Sequence, residues 1–199
     1  MPDAKESLGL LAERVRVCRI CAEHLPLGPR PVFRVQAGAR LLIIGQAPGT
    51  KVHQTGIPWN DRSGDRLRDW CGLDSDSFYD AGRIAIMPMG FCYPGRDPRG
   101  GDNPPRPECA PAWHGPLMDH LAGLDLILLV GLYAQRHYLK EAWRGSLTAT
   151  VAAWADCPAP FLPLPHPSWR TMTWQRKNPW FETELLPVLR QKIASIVTA

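Results

Sequence analysis

Residues 41–64, LLIIGQAPGTKVHQTGIPWNDRSG, are the stretch that decides the fold. The stretch opens with a short apolar run that predicts a buried strand, and the run breaks into the glycine-containing turn GQAPG at 45–49. A loop with Trp59 and Asp61 follows, and Ser63 is predicted to cap a helix. Because parallel α/β sheets bind ligands beyond the carboxyl ends of their strands, we expect a functional site in this loop.

Strands and helices are predicted to alternate along the rest of the chain. The predicted strands cover residues 40–45, 83–87, 125–131 and 161–164, and the predicted helices cover 5–17, 64–71, 108–121, 133–143 and 179–197. This alternation favours a parallel sheet with helices on both faces. We therefore expect a single α/β domain over residues 1–199, with a three-layer α/β/α architecture and a central, mostly parallel four-stranded sheet.

Composition and charge argue against a membrane-spanning protein and leave nucleic-acid binding open. With 23 Lys and Arg against 19 Asp and Glu, the chain has a net charge of +4, which permits nucleic-acid binding without establishing it. No apolar run approaches the roughly 20 residues that a transmembrane helix needs. The N-terminus has acids early and lacks the apolar segment of a secretory signal. A cytoplasmic protein is the expectation.

Four of the six cysteines have the arrangement of a metal site. The four are Cys18, Cys21, Cys92 and Cys109. The first two form a C-x-x-C pair, and the last two flank a proline-rich connection with 16 residues between them. Four such thiolates suit zinc or a [4Fe–4S] cluster, although the pair also suits redox chemistry and the last two also suit small buried positions. Cys71 and Cys157 are expected to be structural, and disulfides are not expected in the cytoplasm.

The loop after the fourth predicted strand reads PHPS at 165–168 and completes a set of motifs. Together with the C-x-x-C pair, the GQAPG turn and the two later cysteines, it resembles the uracil-DNA glycosylase superfamily, specifically its iron–sulfur branches, families four and five. The resemblance covers about residues 18–189. GQAPG resembles motif A, PHPS resembles motif B, and NDRSG at 60–64 is similar to a family-five segment. The four cysteines match the ligands of a [4Fe–4S] cluster in order and approximate spacing.

The resemblance also implies a role for each motif residue. Asp61 would be the catalytic carboxylate, and His166 would face the carbonyl of the base. The residues that would bind the substrate are Gly45, Gln46, Ala47, Pro48, Trp59, Asn60 and His53, and those that would enter DNA are Ser168, Trp169 and Arg170. Simpler interpretations stay open, because Asp61 also suits an N-cap and Trp59 also suits core packing. His166 also suits a structural loop, and His53 a surface position.

Two departures from the family pattern bear on activity. Family four has Glu where this chain has Gln46, and an amide cannot act as a base. The segment at 86–90, IMPMG, lacks the Asn with which many family members read the edge of uracil. Pyrimidine selection must therefore use other groups, or be looser.

The leading interpretation is a monomeric, monofunctional uracil-DNA glycosylase of base excision repair, because the motifs themselves contain no Lys placed to form a Schiff base. Its partner would be DNA that contains uracil or other deaminated bases. A glycosylase of broader scope, a non-catalytic protein that binds uracil or abasic sites, and an iron–sulfur electron carrier are the alternatives.

Overall fold

A computed structural model describes residues 6–98 and 100–197. Its centre is a sheet of four strands: β1 (Leu41–Ile44), β2 (Ile84–Ile86), β3 (Leu126–Val130) and β4 (Phe161–Leu164). The strands lie in the order β2-β1-β3-β4, and every neighbouring pair is parallel. The predicted four-stranded sheet is confirmed, and three of its strands are one residue shorter at each end than expected.

Both faces of the sheet are buried because helices cover both. Along β1, Leu41 and Ile43 belong to one hydrophobic core, while Leu42 and Ile44 belong to a second core on the opposite face. All four side chains are fully buried, which explains why the strand shows a continuous apolar run rather than an alternating one. These two cores make the three-layer α/β/α architecture that the sequence predicted.

Nine α-helices surround the sheet within the described ranges. In chain order they are α1 (Leu8–Arg16), α2 (Thr50–Thr55), α3 (Arg62–Cys71), α4 (Ser75–Phe78), α5 (Cys109–Met118), α6 (Leu132–Leu139), α7 (Leu147–Ala152), α8 (Thr171–Lys177) and α9 (Leu186–Val197). Helices α3, α4, α7 and α9 pack into the first core, and α1, α5 and α6 pack into the second. Helices α2 and α8 follow the loops that leave β1 and β4, so they border the carboxyl edge of the sheet.

Several helix ends differ from the predicted ones. The helix predicted from residue 5 begins at Leu8 after its N-cap Ser7, and residue 5 itself lies outside the described residues. The helix predicted over 179–197 is a π-helical turn, Phe181–Leu185, followed by α9. Helices α2, α4, α7 and α8 were not predicted, because four to seven residues are too few to show a helical period. None of the helices in 6–98 and 100–197 has both the length and the apolar character needed to cross a membrane.

The N-terminus of α3 is capped by Asp61 and not by Ser63. Asp61 Oδ1 accepts a hydrogen bond from the backbone N–H of Gly64 at 2.9 Å, and Ser63 lies in the first helical turn. The prediction for Ser63 is wrong because the chain enters the helix two residues earlier. At Gly64 the helix touches the preceding loop: a Cβ built there would lie 1.7 Å from the carbonyl oxygen of Trp59.

A buried glutamine joins the carboxyl ends of β3 and β4. Gln135, on α6, donates from its side-chain amide to the carbonyl oxygens of Leu129 at 3.2 Å and Leu164 at 2.8 Å. These bonds fix the spacing of the two strand ends. The loops that leave these ends therefore start from a rigid edge.

Candidate active site

A pocket lies at the carboxyl edge of the sheet, where the loops after β1, β2 and β4 meet. Among the residues that line it are Gly45, Gln46, Ala47, Pro48, Trp59, Asp61 and His166, all of them predicted from the sequence. Val52, Ile86 and Pro88 add an apolar part of the wall. The fold thus brings the motif A and motif B segments, from opposite ends of the chain, into one site.

The GQAPG turn is held in place by the loop that follows β2. The Met89 amide donates to the Gly45 carbonyl at 2.9 Å, and the Gly90 amide donates to the Gln46 carbonyl at 3.0 Å. Position 45 needs glycine because the indole of Trp59 lies directly on it: a Cβ there would be 2.6 Å from the ring. The space that Gly45 leaves open is therefore occupied by the indole of Trp59.

Trp59 forms one wall of the pocket in a rare backbone conformation. Its φ of +57° lies in the left-handed region, which large side chains seldom adopt. The centroid of its ring lies 5.8 Å from that of His166, with 36° between the two planes. The same ring also packs against the first hydrophobic core. Both interpretations of Trp59, core packing and pocket residue, therefore describe part of its surroundings.

Asp61 presents one carboxylate oxygen to the helix and the other to the pocket. Oδ1 accepts the capping hydrogen bond from Gly64. Oδ2 lies 3.9 Å from the point where a Cβ on Gly49 would stand, in the turn that lines the pocket. Asp61 can therefore cap α3 with one oxygen and line the pocket with the other.

His166 is held as a neutral imidazole at pH 7. Burial lowers its pKa below the ordinary histidine value, and the nearby Asp61 carboxylate opposes this shift without cancelling it. The backbone carbonyl of His166 accepts hydrogen bonds from the Ser168 amide, at 2.8 Å, and from the Thr171 hydroxyl. These bonds fix the loop, and the His166 ring lines the pocket.

A second carboxylate, Asp102, lines the same pocket and was missed by the sequence analysis. Its Oδ2 lies 3.3 Å from the Cβ position of Gly49, so two acids approach that glycine from different loops. Partial desolvation raises the pKa of Asp102; Arg96 opposes the shift, and the charge of Asp61 adds to it. Asp102 lies in a long connection without hydrophobic periodicity, which gave no signal for a site.

The family of the chain follows from a family-model match. The model described as the Uracil DNA glycosylase superfamily matches residues 33–190. The chain belongs to the uracil DNA glycosylase superfamily. Members are typically N-glycosylases, so DNA glycosylase chemistry, a role in DNA repair and a DNA substrate are supported at the family level. The match begins after Cys18 and Cys21, so it carries no information about an iron–sulfur branch.

An open groove beside the pocket exposes the three residues that were predicted to enter DNA. Ser168, Trp169 and Arg170 line the groove together with Arg96. The Trp169 side chain is 75% exposed, and the Arg170 guanidinium lies 5.5 Å from the centroid of its ring. Arg170 also donates to the Gly100 carbonyl at 3.2 Å. An exposed indole beside two cations is typical of a surface that binds nucleic acid.

Two residues predicted to contact the substrate, Asn60 and His53, do not line the pocket. The ring of His53 lies 6.1 Å from that of Tyr93, and its Nδ1 is buried without a hydrogen-bond partner among the described residues. Burial lowers the pKa of His53, and Arg30 adds to this shift. Val52 lines the pocket in its place, because one step along a helix rotates the side chain by about 100°. The geometry therefore does not support direct substrate contacts by Asn60 and His53.

The four cysteines predicted as metal ligands line one cavity between the N-terminal segment and the start of α5. They are Cys18, Cys21, Cys92 and Cys109. The indole N–H of Trp113 donates to Cys18 Sγ, and the Phe91 amide donates to Cys109 Sγ, both at 3.3 Å. Burial raises the pKa of the Cys92 thiol to about 11 and that of the Cys109 thiol to about 12. The two remaining cysteines pack elsewhere, in or against the hydrophobic cores.

All four cysteines line the cavity, but their side chains are not gathered as the ligands of one ion. Across residues 6–98 and 100–197, no three Cys, His, Asp or Glu side chains are grouped to hold a metal ion. Zinc would need sulfurs at about 2.3 Å from a single centre. A [4Fe–4S] cluster is a larger body with its four thiolates arranged around it. Four cysteine thiols on one shared cavity are the donor set that such a cluster takes.

Proposed function

We propose that this chain is a monofunctional uracil-DNA glycosylase. It accepts uracil extruded from DNA and hydrolyses the N-glycosidic bond, the first step of base excision repair. The observation that carries the proposal is the meeting of Asp61 and His166 in one pocket of a uracil DNA glycosylase superfamily member. One chain supplies every residue argued to act, so the proposed reaction needs no second subunit.

The proposed mechanism stabilises two developing charges. Breaking the bond builds positive charge on the sugar and negative charge on the departing base. Asp61, through the oxygen that does not cap the helix, stabilises the sugar, and the neutral imidazole of His166 donates a hydrogen bond to the base oxygen. The Trp59 ring offers an aromatic wall to the extruded base, which offsets part of its lost stacking.

The proposed enzyme releases the base without cutting the strand. Strand cleavage by a glycosylase uses an amine that forms a Schiff base with the sugar. Among the described residues, the side chains that line the pocket and the groove include no lysine. Hydrolysis, with water as the nucleophile, is the chemistry that these side chains support.

The apolar wall of the pocket favours a substrate range wider than uracil. Ile86 and Pro88 line the pocket on the side of β2, where an Asn that reads the uracil edge was missing from the sequence. Apolar side chains offer no hydrogen bond with which to read the edge of a base, so they discriminate weakly between bases. We therefore include other deaminated bases, such as hypoxanthine and xanthine, among the proposed substrates. Release rates measured for a panel of oligonucleotides that each carry one damaged base decide the range.

A non-catalytic protein that binds uracil or abasic sites is the second candidate. This candidate is favoured by Gln46, which stands where family four has a glutamate. The side-chain amide of Gln46 donates a hydrogen bond to the Asn103 carbonyl at 2.9 Å. An amide engaged in this way neither accepts a proton nor carries charge. Single-turnover base release from a uracil-containing oligonucleotide distinguishes the two candidates. Release supports the glycosylase, and tight binding with no release supports the binding protein.

We propose that the four cysteines hold a [4Fe–4S] cluster with a structural role. The support is their shared cavity, the two N–H groups directed at sulfur, and the fit of four thiolates to such a cluster. The cluster would supply a covalent link between the N-terminal segment and the start of α5. Metal binding of this kind contributes to the free energy of folding.

Cys92→Ser is expected to lower the visible absorbance of the purified protein and its melting temperature. Loss of one thiolate weakens the cluster, and with it the link between the N-terminal segment and α5. The measurements are the absorbance spectrum, the iron content and a thermal melt. Cys157→Ser is the matched control, because Cys157 packs against the second core and does not line the cavity. This variant protein should keep the visible absorbance of the wild type. An unchanged spectrum in Cys92→Ser would contradict the four-cysteine cluster.

A further inference from the structure

The pocket and the outer groove share a short boundary. Five side chains line both spaces: Gln46, Ala47, Ser63, Asp102 and His166. Asp61 and Trp59 line only the inner pocket, whereas Trp169 and Arg170 line only the groove. Asp102 is thus the acid at the boundary, and it reaches this place from the connection between β2 and α5.

A nucleotide that leaves the DNA stack would extend across this boundary. A flipped base occupies the inner pocket, while its phosphates stay with the cationic groove. The glycosidic bond must then lie where the inner pocket, which Asp61 lines, meets the boundary. A carboxylate at the boundary therefore lies on the side where the carbon that water attacks would stand.

Hydrogen bonds hold the segment that carries Asp102 against the site. The Gln46 side-chain amide donates to the Asn103 carbonyl at 2.9 Å, and the Asn103 amide donates to the Gly95 carbonyl at 2.9 Å. On the other side of Asp102, the Arg170 guanidinium donates to the Gly100 carbonyl at 3.2 Å. Gln46, which cannot itself act as a base, thus fixes the residue that follows the acid.

We propose that Asp102 is a second catalytic carboxylate, the general base that takes a proton from the attacking water. This role rests on the proposed glycosylase function. In the step, the C1′–N bond breaks and its electron pair stays on the base. The water oxygen bonds to C1′, and its proton passes to the Asp102 carboxylate, which later releases it to solvent. The base leaves as an anion that takes up a proton from solvent.

The surroundings of Asp102 agree with a base. Partial desolvation raises the pKa of Asp102, Arg96 opposes this shift, and the charge of Asp61 adds to it. A carboxylate with a raised pKa accepts a proton more readily than an ordinary aspartate. The two acids of the site therefore divide the work: Asp61 stabilises the charge on the sugar, and Asp102 takes the proton.

The test is single-turnover release of uracil by the wild type, Asp102→Asn and Asp76→Asn, with DNA affinity measured in parallel. Asp102→Asn should slow release by about 10² to 10⁴-fold, the range for a lost general base. Its DNA affinity should be equal or higher, because a negative charge beside the phosphate groove is removed. Asp76, exposed in the first turn of α4, does not line the pocket or the groove, so Asp76→Asn should keep a rate near that of the wild type.

A thermal melt and a second variant separate chemistry from folding. Asp102→Glu keeps a carboxylate on a longer side chain and should release uracil faster than Asp102→Asn. Release by the wild type with an undiminished rate in Asp102→Asn would overturn the role of Asp102 and leave the glycosylase proposal standing. No release by the wild type from any substrate of the panel would overturn the proposed function, and the role of Asp102 with it.

Discussion

Asp61→Asn is expected to slow single-turnover release of uracil by about 10² to 10⁴-fold while leaving the fold intact. The amide lacks the negative charge that stabilises the sugar, so the chemical step is lost. Asn caps helices about as well as Asp, and its oxygen can still accept the hydrogen bond from the Gly64 amide. The measurements are the release rate at saturating enzyme and the midpoint of a thermal melt.

Asp74→Asn is the matched control for this prediction. Asp74 caps α4 in the same way, accepting a hydrogen bond from the Ser77 amide at 2.8 Å, and it does not line the pocket. Both its melting temperature and its release rate should stay close to those of the wild type. If Asp61→Asn loses less than about threefold in rate, Asp61 is only a helix cap and the catalytic assignment fails.

Gly64→Ala is expected to cost about 3 kcal/mol of unfolding free energy, at the upper end for overpacking, and to abolish most base release. The added methyl group would lie 1.7 Å from the carbonyl oxygen of Trp59, and the contact is backbone, so no side chain can swing away. Relief requires that α3 or the Trp59 loop moves. Because Trp59 also packs on Gly45, such a shift disturbs the pocket wall. Urea unfolding and single-turnover kinetics measure the two effects.

Gly115→Ala supplies the control for the glycine prediction. Gly115 lies inside α5, and nothing lies within 4 Å of a Cβ built on it. Alanine is a better helix former than glycine by about 1 kcal/mol, so this variant should be as stable as the wild type or more stable. Equal stability of the two alanine variants would show that the loop before α3 does not rest on Gly64.

The sheet was predictable because its strands are buried on both faces. Residues 126–130, LILLV, carry no polar side chain, and burial on both faces is the reason. The GQAPG turn was predictable as the end of such a run. Short helices such as α2 and α7 were not predicted, because six residues make fewer than two turns. The cap of α3 was assigned to Ser63 because both Asp61 and Ser63 are good capping residues, and backbone geometry decides between them.

The sequence by itself determined the elements that depend on neighbouring residues: the strands, the two motif loops and the order of the cysteines. Tertiary structure alone decided that Asp102 joins Asp61 beside Gly49, and that four cysteines share one cavity. It also decided that Trp59 rests on Gly45. The physical reason is distance along the chain. Local periodicity encodes what a residue does within its own helix or strand, whereas these contacts depend on how separate loops pack at the edge of the sheet.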